Sequence, residues 1–398
     1  MDKSTRIAHV ITNADSFGGA QRNTLLTLKG LVRDRYEAEL VCGTGRRLIK
    51  EARAIGIPVH VVPDLIRQIH PVKDCRALFM LNKLFRSREY DIVHTHSSKG
   101  GFLGRLAAWL AKVPVIVHTV HGVPCEMNGD LKSRLYVGME KVVGAVTDRL
   151  ICVGKELCRE VAEWRIVPDE KLVTIYSGID FSSYVAQRPA FAVKRAWNVD
   201  EAWPIVGCVG RLSQQKAQHY LVEATALLKD KYPKIKLLLV GEGGLRPILE
   251  KRIQALGLST HVLLLGQRDD IADLLHIFDV YAMSSCWEGV GRALTEAMHC
   301  SRPIVATAVN GVRELIVHEE TGLCVPPHDP PALATAIDRL AGDPQMARRL
   351  GTNAQRKARD LMDGEHMIVA IEELYGRLTW TNGLRPNRDL IGAGRTLD

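Results

Sequence analysis

The chain has 398 residues, 46% of them apolar and 25% charged, with a formal net charge of +8. That length exceeds one ordinary core, so two domains are expected, and the balance is that of a globular protein rather than a disordered or fibrous one. No apolar run reaches the ~18 residues a membrane span needs; the nearest, 106–120, is broken by Lys112.

The N-terminus runs straight into a strand pattern and carries no signal-peptide core, so a cytoplasmic protein is expected. Nine cysteines occur without a C-x-x-C pair, which fits reduced thiols. Cys42, Cys152, Cys208 and Cys324 lie in or beside apolar strands and read as core filler. Fourteen histidines show no metal-binding spacing, and no D-x-D occurs, so no metal clamp is indicated. Residues 1–120 hold 19 Lys and Arg against 10 Asp and Glu, a balance of +9; the remainder holds 34 against 35. The basic residues are dispersed and no nucleic-acid motif accompanies them, so nucleic acid is not expected. A solvated surface and an anionic-membrane face both remain open.

In chain order, Ile7–Ile11 is predicted as a strand, followed by a glycine loop ending in Gly18 and Gly19 and then a helix. That layout suits an anion, because N–H groups at a helix start lack partners. Strands at 38–42, 59–62, 91–94 and 114–117 alternate with helices at 48–54, 74–86 and 102–111. Such alternation predicts a doubly wound parallel sheet. His96, His118 and His121 fall at the carboxyl ends of neighbouring predicted strands, where open α/β sheets bind ligands. Residues 172–175 end the first half, and 181–203 read as a connector.

The second half restarts at Ile205–Val209 and leads into Gly210-Arg211-Leu212-Ser213-Gln214-Gln215-Lys216. A guanidinium fork and a point charge at a strand end suit a diphosphate. Strand 262–265 leads to Gly266-Gln267-Arg268-Asp269-Asp270, whose aspartates read as helix caps. From Ser284 the chain reads SSCWEGVGRALTEAMHCSRPIVAT: strand end, glycine loop, helix, strand. Glu288 and Glu296 bracket Gly289, Val290, Gly291 and Arg292, whose amides lie at the helix start and can meet a phosphate. The two carboxylates can accept hydrogen bonds from sugar and ribose hydroxyls.

E-x7-E followed by A-M-x-C-x-R-P-I-V-A-T resembles the nucleotide-sugar site of retaining glycosyltransferases of family 4, over roughly residues 5–378. The resemblance implies an α/β fold of two Rossmann-like, doubly wound domains facing across a cleft, the GT-B arrangement. The expected organisation is an acceptor-side domain at 1–180, the connector at 181–203 and a nucleotide-sugar domain at 204–362. A helix at 363–378 would pack back on the first domain, before a disordered tail at 379–398. The resemblance also implies the site. Gly18 and Gly19 would approach the donor phosphates and His121 the transferred sugar. Arg211 and Lys216 would hold the diphosphate, Arg268 would lie by the base, Glu288 would orient the sugar, and Glu296 would hold the ribose. His121, Glu288, Lys216 and Arg211 are thus the catalytic candidates. Carry-over to His96 and His118 is weaker. The family generally works without metal, so no cofactor is expected.

The implied activity is transfer of a hexosyl or N-acetylhexosaminyl unit from a nucleoside-diphosphate sugar, UDP-linked by preference or GDP-linked. The loop SSKGGFLGRLAA and the run HTVHG resemble members that build capsular, exo- or lipopolysaccharide, which points to a lipid-linked glycan acceptor and peripheral membrane contact. Another GT-B enzyme (an epimerase or a phosphorylase) and a silent nucleotide-binding scaffold are the alternatives.

Overall fold

A computed structural model describes residues 4–12, 14, 18–122 and 130–384. The chain forms two compact units, one from residues 1–178 and 364–398, the other from 179–363.

Unit 1 contains β1 (Thr5–Ile11), α1 (Gly19–Gly30), β2 (Tyr36–Cys42), α2 (Arg47–Ala54), β3 (Val59–Val61), α3 (Pro71–Arg88) and β4 (Ile92–His96). It continues with α4 (Ser98–Leu110), β5 (Val115–Val120), α5 (Leu131–Gly144), β6 (Arg149–Cys152), α6 (Lys155–Glu163) and β7 (Leu172–Thr174). The sheet is parallel, in the order β3-β2-β1-β4-β5-β6-β7. Unit 2 opens with α7 (Ala190–Ala196), β8 (Ile205–Val209), α8 (His219–Leu228), β9 (Lys236–Val240), α9 (Arg246–Ala255) and β10 (Val262–Gly266). Then come α10 (Ile271–Ile277), β11 (Val280–Met283), α11 (Arg292–His299), β12 (Ile304–Thr307), α12 (Asn310–Leu315), β13 (Leu323–Val325), α13 (Pro330–Gly342) and α14 (Pro344–Met362). Its parallel sheet runs β10-β9-β8-β11-β12-β13. The last helix, α15 (Gly364–Thr381), belongs to unit 1.

Near-continuous apolar runs such as Leu237–Val240 form these strands because both sheet faces are covered by helices. The order reverses between β1 and β4, and again between β8 and β11. Each reversal opens a crevice at the strands' carboxyl ends, since the connecting helices leave on opposite faces.

The period of two along a strand sorts the residues of unit 1. Ala8, Val10, Val93 and Ile116 pack with Ala77, Leu81 and Phe85 of α3 and Leu103 and Ala107 of α4. On the other face, Ile7, Ile92, Val115 and Val117 pack with Met367, Ile371, Leu374, Tyr375 and Leu378 of α15. Each such buried side chain is worth roughly 1.5–3 kcal/mol over exposure, which holds α15 to this sheet.

Residues 181–203 are not a free connector. Phe181–Tyr184 forms a 3-10 turn and Ala190–Ala196 forms α7, both within unit 2. Val193 is buried there, and an apolar anchor of that kind removes the slack a linker needs. The C-terminal helix starts and ends close to the expected bounds. Most of the tail expected to be disordered, 385–398, lies outside the described residues.

Candidate active site

In unit 2 the loop after β8 and the loop after β11 meet at the sheet's reversal. The β8 loop stays low because Gly210 N–H donates to the Val240 carbonyl at 2.9 Å and Leu212 N–H to the Glu242 carbonyl at 3.0 Å. The glycines opposite make room. A Cβ on Gly241 would lie 2.1 Å from the Gly210 oxygen, and one on Gly243 would lie 2.2 Å from the Leu212 oxygen. The loop then brings Lys216 to Glu288. Their side chains form an ion pair, 17% and 6% exposed, and the same Glu288 oxygen accepts a bond from Ser285 Oγ at 2.7 Å.

Several further bonds make these two loops one unit. Cys286 N–H donates to the Gln215 carbonyl at 2.8 Å and Gln215 Nε2 to the Trp287 carbonyl at 3.0 Å. Ser284 Oγ donates to the carbonyls of Lys216 and Ala217, both at 3.0 Å.

Beyond Glu288 the chain passes Gly289 and the buried Val290 to Gly291, whose φ of 72° caps α11 in the left-handed region. Only glycine takes that conformation without strain. Gly311, on α12, lies so close that a Cβ there would fall 1.2 Å from the Gly289 oxygen. Glu296, on α11, is 6% exposed and pairs with Arg292 Nε at 3.1 Å. The first bond back to the start of α11 is made by Leu294 N–H, to the Gly291 carbonyl at 2.8 Å, so the N–H groups before it form an electropositive helix start on the same loop as Glu288 and its partner Lys216. Arg211 sits exposed in the β8 loop, its carbonyl held by Gln218 Nε2 at 3.0 Å.

Arg268 is placed differently. It grips Asp270 through two bonds of 2.8 and 2.9 Å, and its guanidinium lies 5.1 Å from the Trp197 ring centre. Asp270 stands at the N-cap of α10 but makes no side-chain cap bond. Its carboxylate serves Arg268 and Arg188, and the Arg268 bond holds its pKa below the usual aspartate value. The capping role expected for Asp270 is therefore corrected: two guanidiniums offer it stronger charge-assisted bonds than a backbone N–H.

In unit 1 Gly18 caps α1 in an extended conformation and Gly19 is its first residue. The loop before them contains residues 13 and 15–17, outside the described residues. Thr12, at its start, is packed against Gly43 of the loop after β2 and Gly100 in the first turn of α4. A Cβ on Gly43 would meet the Thr12 oxygen at 2.2 Å, and one on Gly100 the Thr12 nitrogen at 3.1 Å.

The three histidines separate. His118 lies inside β5, on the face covered by α4. Its Nδ1 bonds Thr95 Oγ1 at 2.9 Å, and a Cβ on Gly101 would meet its ring at 2.4 Å. It is a packed core group rather than a rim residue, because it alternates to the opposite face from Thr119 and His121. His96, at the end of β4, is fully buried, and its Nδ1 bonds His121 Nε2 at 3.1 Å.

His96 leads to two histidines that the motif reading missed, His9 and His94. His96 Nε2 lies 3.0 Å from His9 Nδ1, and His9 Nε2 lies 3.4 Å from Tyr375 Oη. Tyr375 Oη contacts His94 Nδ1 at 2.6 Å, and His94 Nε2 contacts Thr119 Oγ1 at 2.7 Å. Burial lowers the His9 pKa to about 3 and holds His94, His96 and His118 well below the usual histidine value. The signal was present as histidine at alternate positions in the strands. Nothing in the sequence pairs them with Tyr375.

The comparisons agree with this architecture. The family described as Glycosyltransferase Family 4 matches residues 17–183, and that described as Glycosyl transferases group 1 matches residues 191–357. The Escherichia coli UDP-Gal:alpha-D-GlcNAc-diphosphoundecaprenol alpha-1,3-galactosyltransferase is 30% identical over 377 residues, 93% of this chain and 95% of that protein. The Staphylococcus aureus capsular polysaccharide biosynthesis glycosyltransferase CapM is 23% identical, over 94% of this chain and 97% of its own length. Anabaena HepE, solved with UDP and glucose, superposes with a TM-score of 0.82 at 24% identity, covering 94% of this chain and all of that one. These relatives support a transferase rather than an epimerase, a phosphorylase or a silent scaffold. With both halves matched and a relative of this similarity over nearly its whole length, the chain belongs to glycosyltransferase family 4 and has the GT-B fold.

Proposed function

We propose that this glycosyltransferase moves a hexose or N-acetylhexosamine from a UDP-linked donor to a lipid-linked glycan, with retention of anomeric configuration and without a metal ion. The observation that carries the reading is the Lys216–Glu288 pair beside the start of α11.

As the sugar–phosphate bond breaks, negative charge grows on the diphosphate. Lys216, Arg211 and the amides at 290–292 would stabilise it from fixed positions, the form of catalysis with the largest single effect in many enzymes. Lys216 has three N–H donors, so it can keep Glu288 while meeting a phosphate oxygen. Glu288, steered by Ser285, would accept from hydroxyls of the transferred sugar, and Glu296 from the ribose. Gly18 and Gly19 would approach the phosphates, His121 would contact the sugar, and backbone around Arg268 the base. The acceptor hydroxyl would form its bond to the anomeric carbon on the side of the leaving phosphate, whose oxygen takes the proton.

The donor choice is supported by relatives. The Escherichia coli enzyme is named for UDP-Gal and a diphosphoundecaprenol acceptor, and Anabaena HepE has been solved with UDP and with UDP-glucose. No described helix is long and apolar enough to cross a membrane. Reaching a lipid-linked acceptor then calls for a peripheral face, and α5 supplies one. Leu131, Leu135, Met139 and Val142 lie exposed along it, accompanied by exposed Lys132, Arg134 and Lys141. Apolar side chains among basic ones suit an anionic lipid surface.

The test is transfer from UDP-galactose, UDP-glucose, UDP-N-acetylglucosamine and GDP-mannose to a polyprenyl-diphosphate sugar, with a strong chelator present. Product with the donor's anomeric configuration and a UDP-linked donor is expected. An inverted product, or activity only when magnesium or manganese is restored, would overturn the proposal.

A further inference from the structure

His121, His96, His9, Tyr375, His94 and Thr119 form one unbroken hydrogen-bonded chain. Its five contacts run His121 Nε2–His96 Nδ1, His96 Nε2–His9 Nδ1, His9 Nε2–Tyr375 Oη, Tyr375 Oη–His94 Nδ1 and His94 Nε2–Thr119 Oγ1. His9, His94, His96 and Tyr375 have no exposed surface. Strand register builds the chain, since His9 sits beside His94 and His96 beside Thr119, all on the face that meets α15. The ring nitrogens of His9, His94 and His96 are also close enough to surround a cation, within 4.8 Å of one another. All six are already engaged in the contacts above, so the hydrogen-bonded chain accounts for them.

Burial keeps His9, His94 and His96 neutral, and a neutral imidazole has one N–H and one lone pair. With His121 in its neutral form and the Tyr375 proton used inside the chain, every contact needs one proton, which leaves two consistent orders. Either all four histidines carry the proton on Nε2 and Tyr375 donates to His94, or all four carry it on Nδ1 and Tyr375 donates to His9. The two contacts of Tyr375 choose between them, since the His94–Thr119 contact, at 2.7 Å, fits either a hydroxyl or an N–H donor. A hydroxyl donor makes the shorter bonds, near 2.7–2.8 Å, and Tyr375 lies 2.6 Å from His94 against 3.4 Å from His9. Tyr375 therefore donates to His94, and the Nε2–H order follows through to His121.

We propose that His96, His9, Tyr375 and His94 are positioning residues that fix His121 in its Nε2–H form, making Nδ1 its accepting nitrogen toward a hydroxyl of the transferred sugar. The sugar contact rests on the functional reading above. The tautomer does not, so the two can fail separately.

The test uses the full chain labelled with 15N-histidine, first without substrate. Long-range 1H–15N spectra at pH 7 should show His9, His94, His96 and His121 all protonated on Nε2. Tyr375→Phe leaves His9 Nε2–H without an acceptor, and an orphaned buried N–H is less tolerated than an orphaned lone pair. Its proton should move to Nδ1, turning His96 and His121 to Nδ1–H while His94 stays as it was. Thr119→Val should act from the other end and turn all four. In both variants kcat/KM should fall about tenfold, the equivalent of one lost hydrogen bond, while the Kd for UDP stays unchanged. A wild-type His121 that is Nδ1-protonated or mixed, or a His121 unmoved by both variants, overturns the relay. Turned tautomers with undiminished kcat/KM overturn the assignment of His121 to the sugar.

Discussion

Lys216 and Glu288 are 72 positions apart in sequence and form a direct ion pair at the reversal of the second sheet. Neither is fully exposed, and Ser285 fixes the carboxylate from a second side. Lys216→Ala should lower kcat about a hundred- to a thousandfold, the usual cost of one transition-state donor. It should also destabilise unit 2 by roughly 3 kcal/mol, because Glu288 is left in a mostly buried place without its partner. Steady-state kinetics and chemical denaturation check the two effects. Near-normal turnover in a folded variant would remove Lys216 from the site.

Gly311 supports the glycine loop from behind. Gly311→Ala forces a methyl group onto the Gly289 carbonyl, and the loop must move. The expected outcome is a stability loss of about 1–3 kcal/mol, as for overpacking, with at least a tenfold weaker Kd for UDP by calorimetry. Gly342→Ala is the control. It is exposed with nothing within 4 Å of its Cβ position, so both quantities should hold or improve slightly. Equal behaviour of the two variants would show that the loop has slack.

Acid should weaken unit 1 through its buried histidines. In the unfolded chain a histidine takes a proton near 6.5, whereas folded His9 does so only at about 3, and His94, His96 and His118 well below their usual value. Their contribution to stability is complete above about pH 6.5 and is lost as pH falls, by up to about 1.4 kcal/mol per pH unit for each histidine. In the same unit burial raises Glu160, which opposes the trend only nearer the carboxylate range. Melting at pH 7.5, 6.5 and 5.5 should therefore show a small change and then a steep drop. A flat profile would mean that the histidines are not buried neutral.

The membrane contact proposed above can be tested on α5. The face is held in place from inside: fully buried Arg105 pairs with Glu140 of α5 at 2.6 Å. The basic first third of the chain adds Arg67, Arg76, Lys83, Arg86 and Arg88, exposed on or beside α3. Sedimentation with anionic vesicles should occur at low salt, disappear at high salt, and weaken severalfold in Leu135→Glu. Each basic residue near the leaflet adds about 1 kcal/mol at most. Equal sedimentation with anionic and neutral vesicles would reduce the charge to a solvated surface.

The α/β class, the parallel sheets and the loop carrying Glu288 to Glu296 were legible because they depend on local pattern. Period-two burial, apolar strand runs and glycines at strand ends act within a few residues. Single residues inside that pattern were less secure. His118 reads as a rim residue until the strand is seen to continue past it to Val120, and residues 181–203 read as linker until Val193 is found buried. The tertiary structure alone decided which side chains meet. Lys216 reaches Glu288 because β8 and β11 are neighbours, though β9 and β10 intervene in sequence. Tyr375 joins His9 and His94 across more than 280 positions because α15 returns to the first sheet. Sequence sets the face on which a side chain points. Only strand order and helix return set what stands opposite, because those follow from closing the whole core at once.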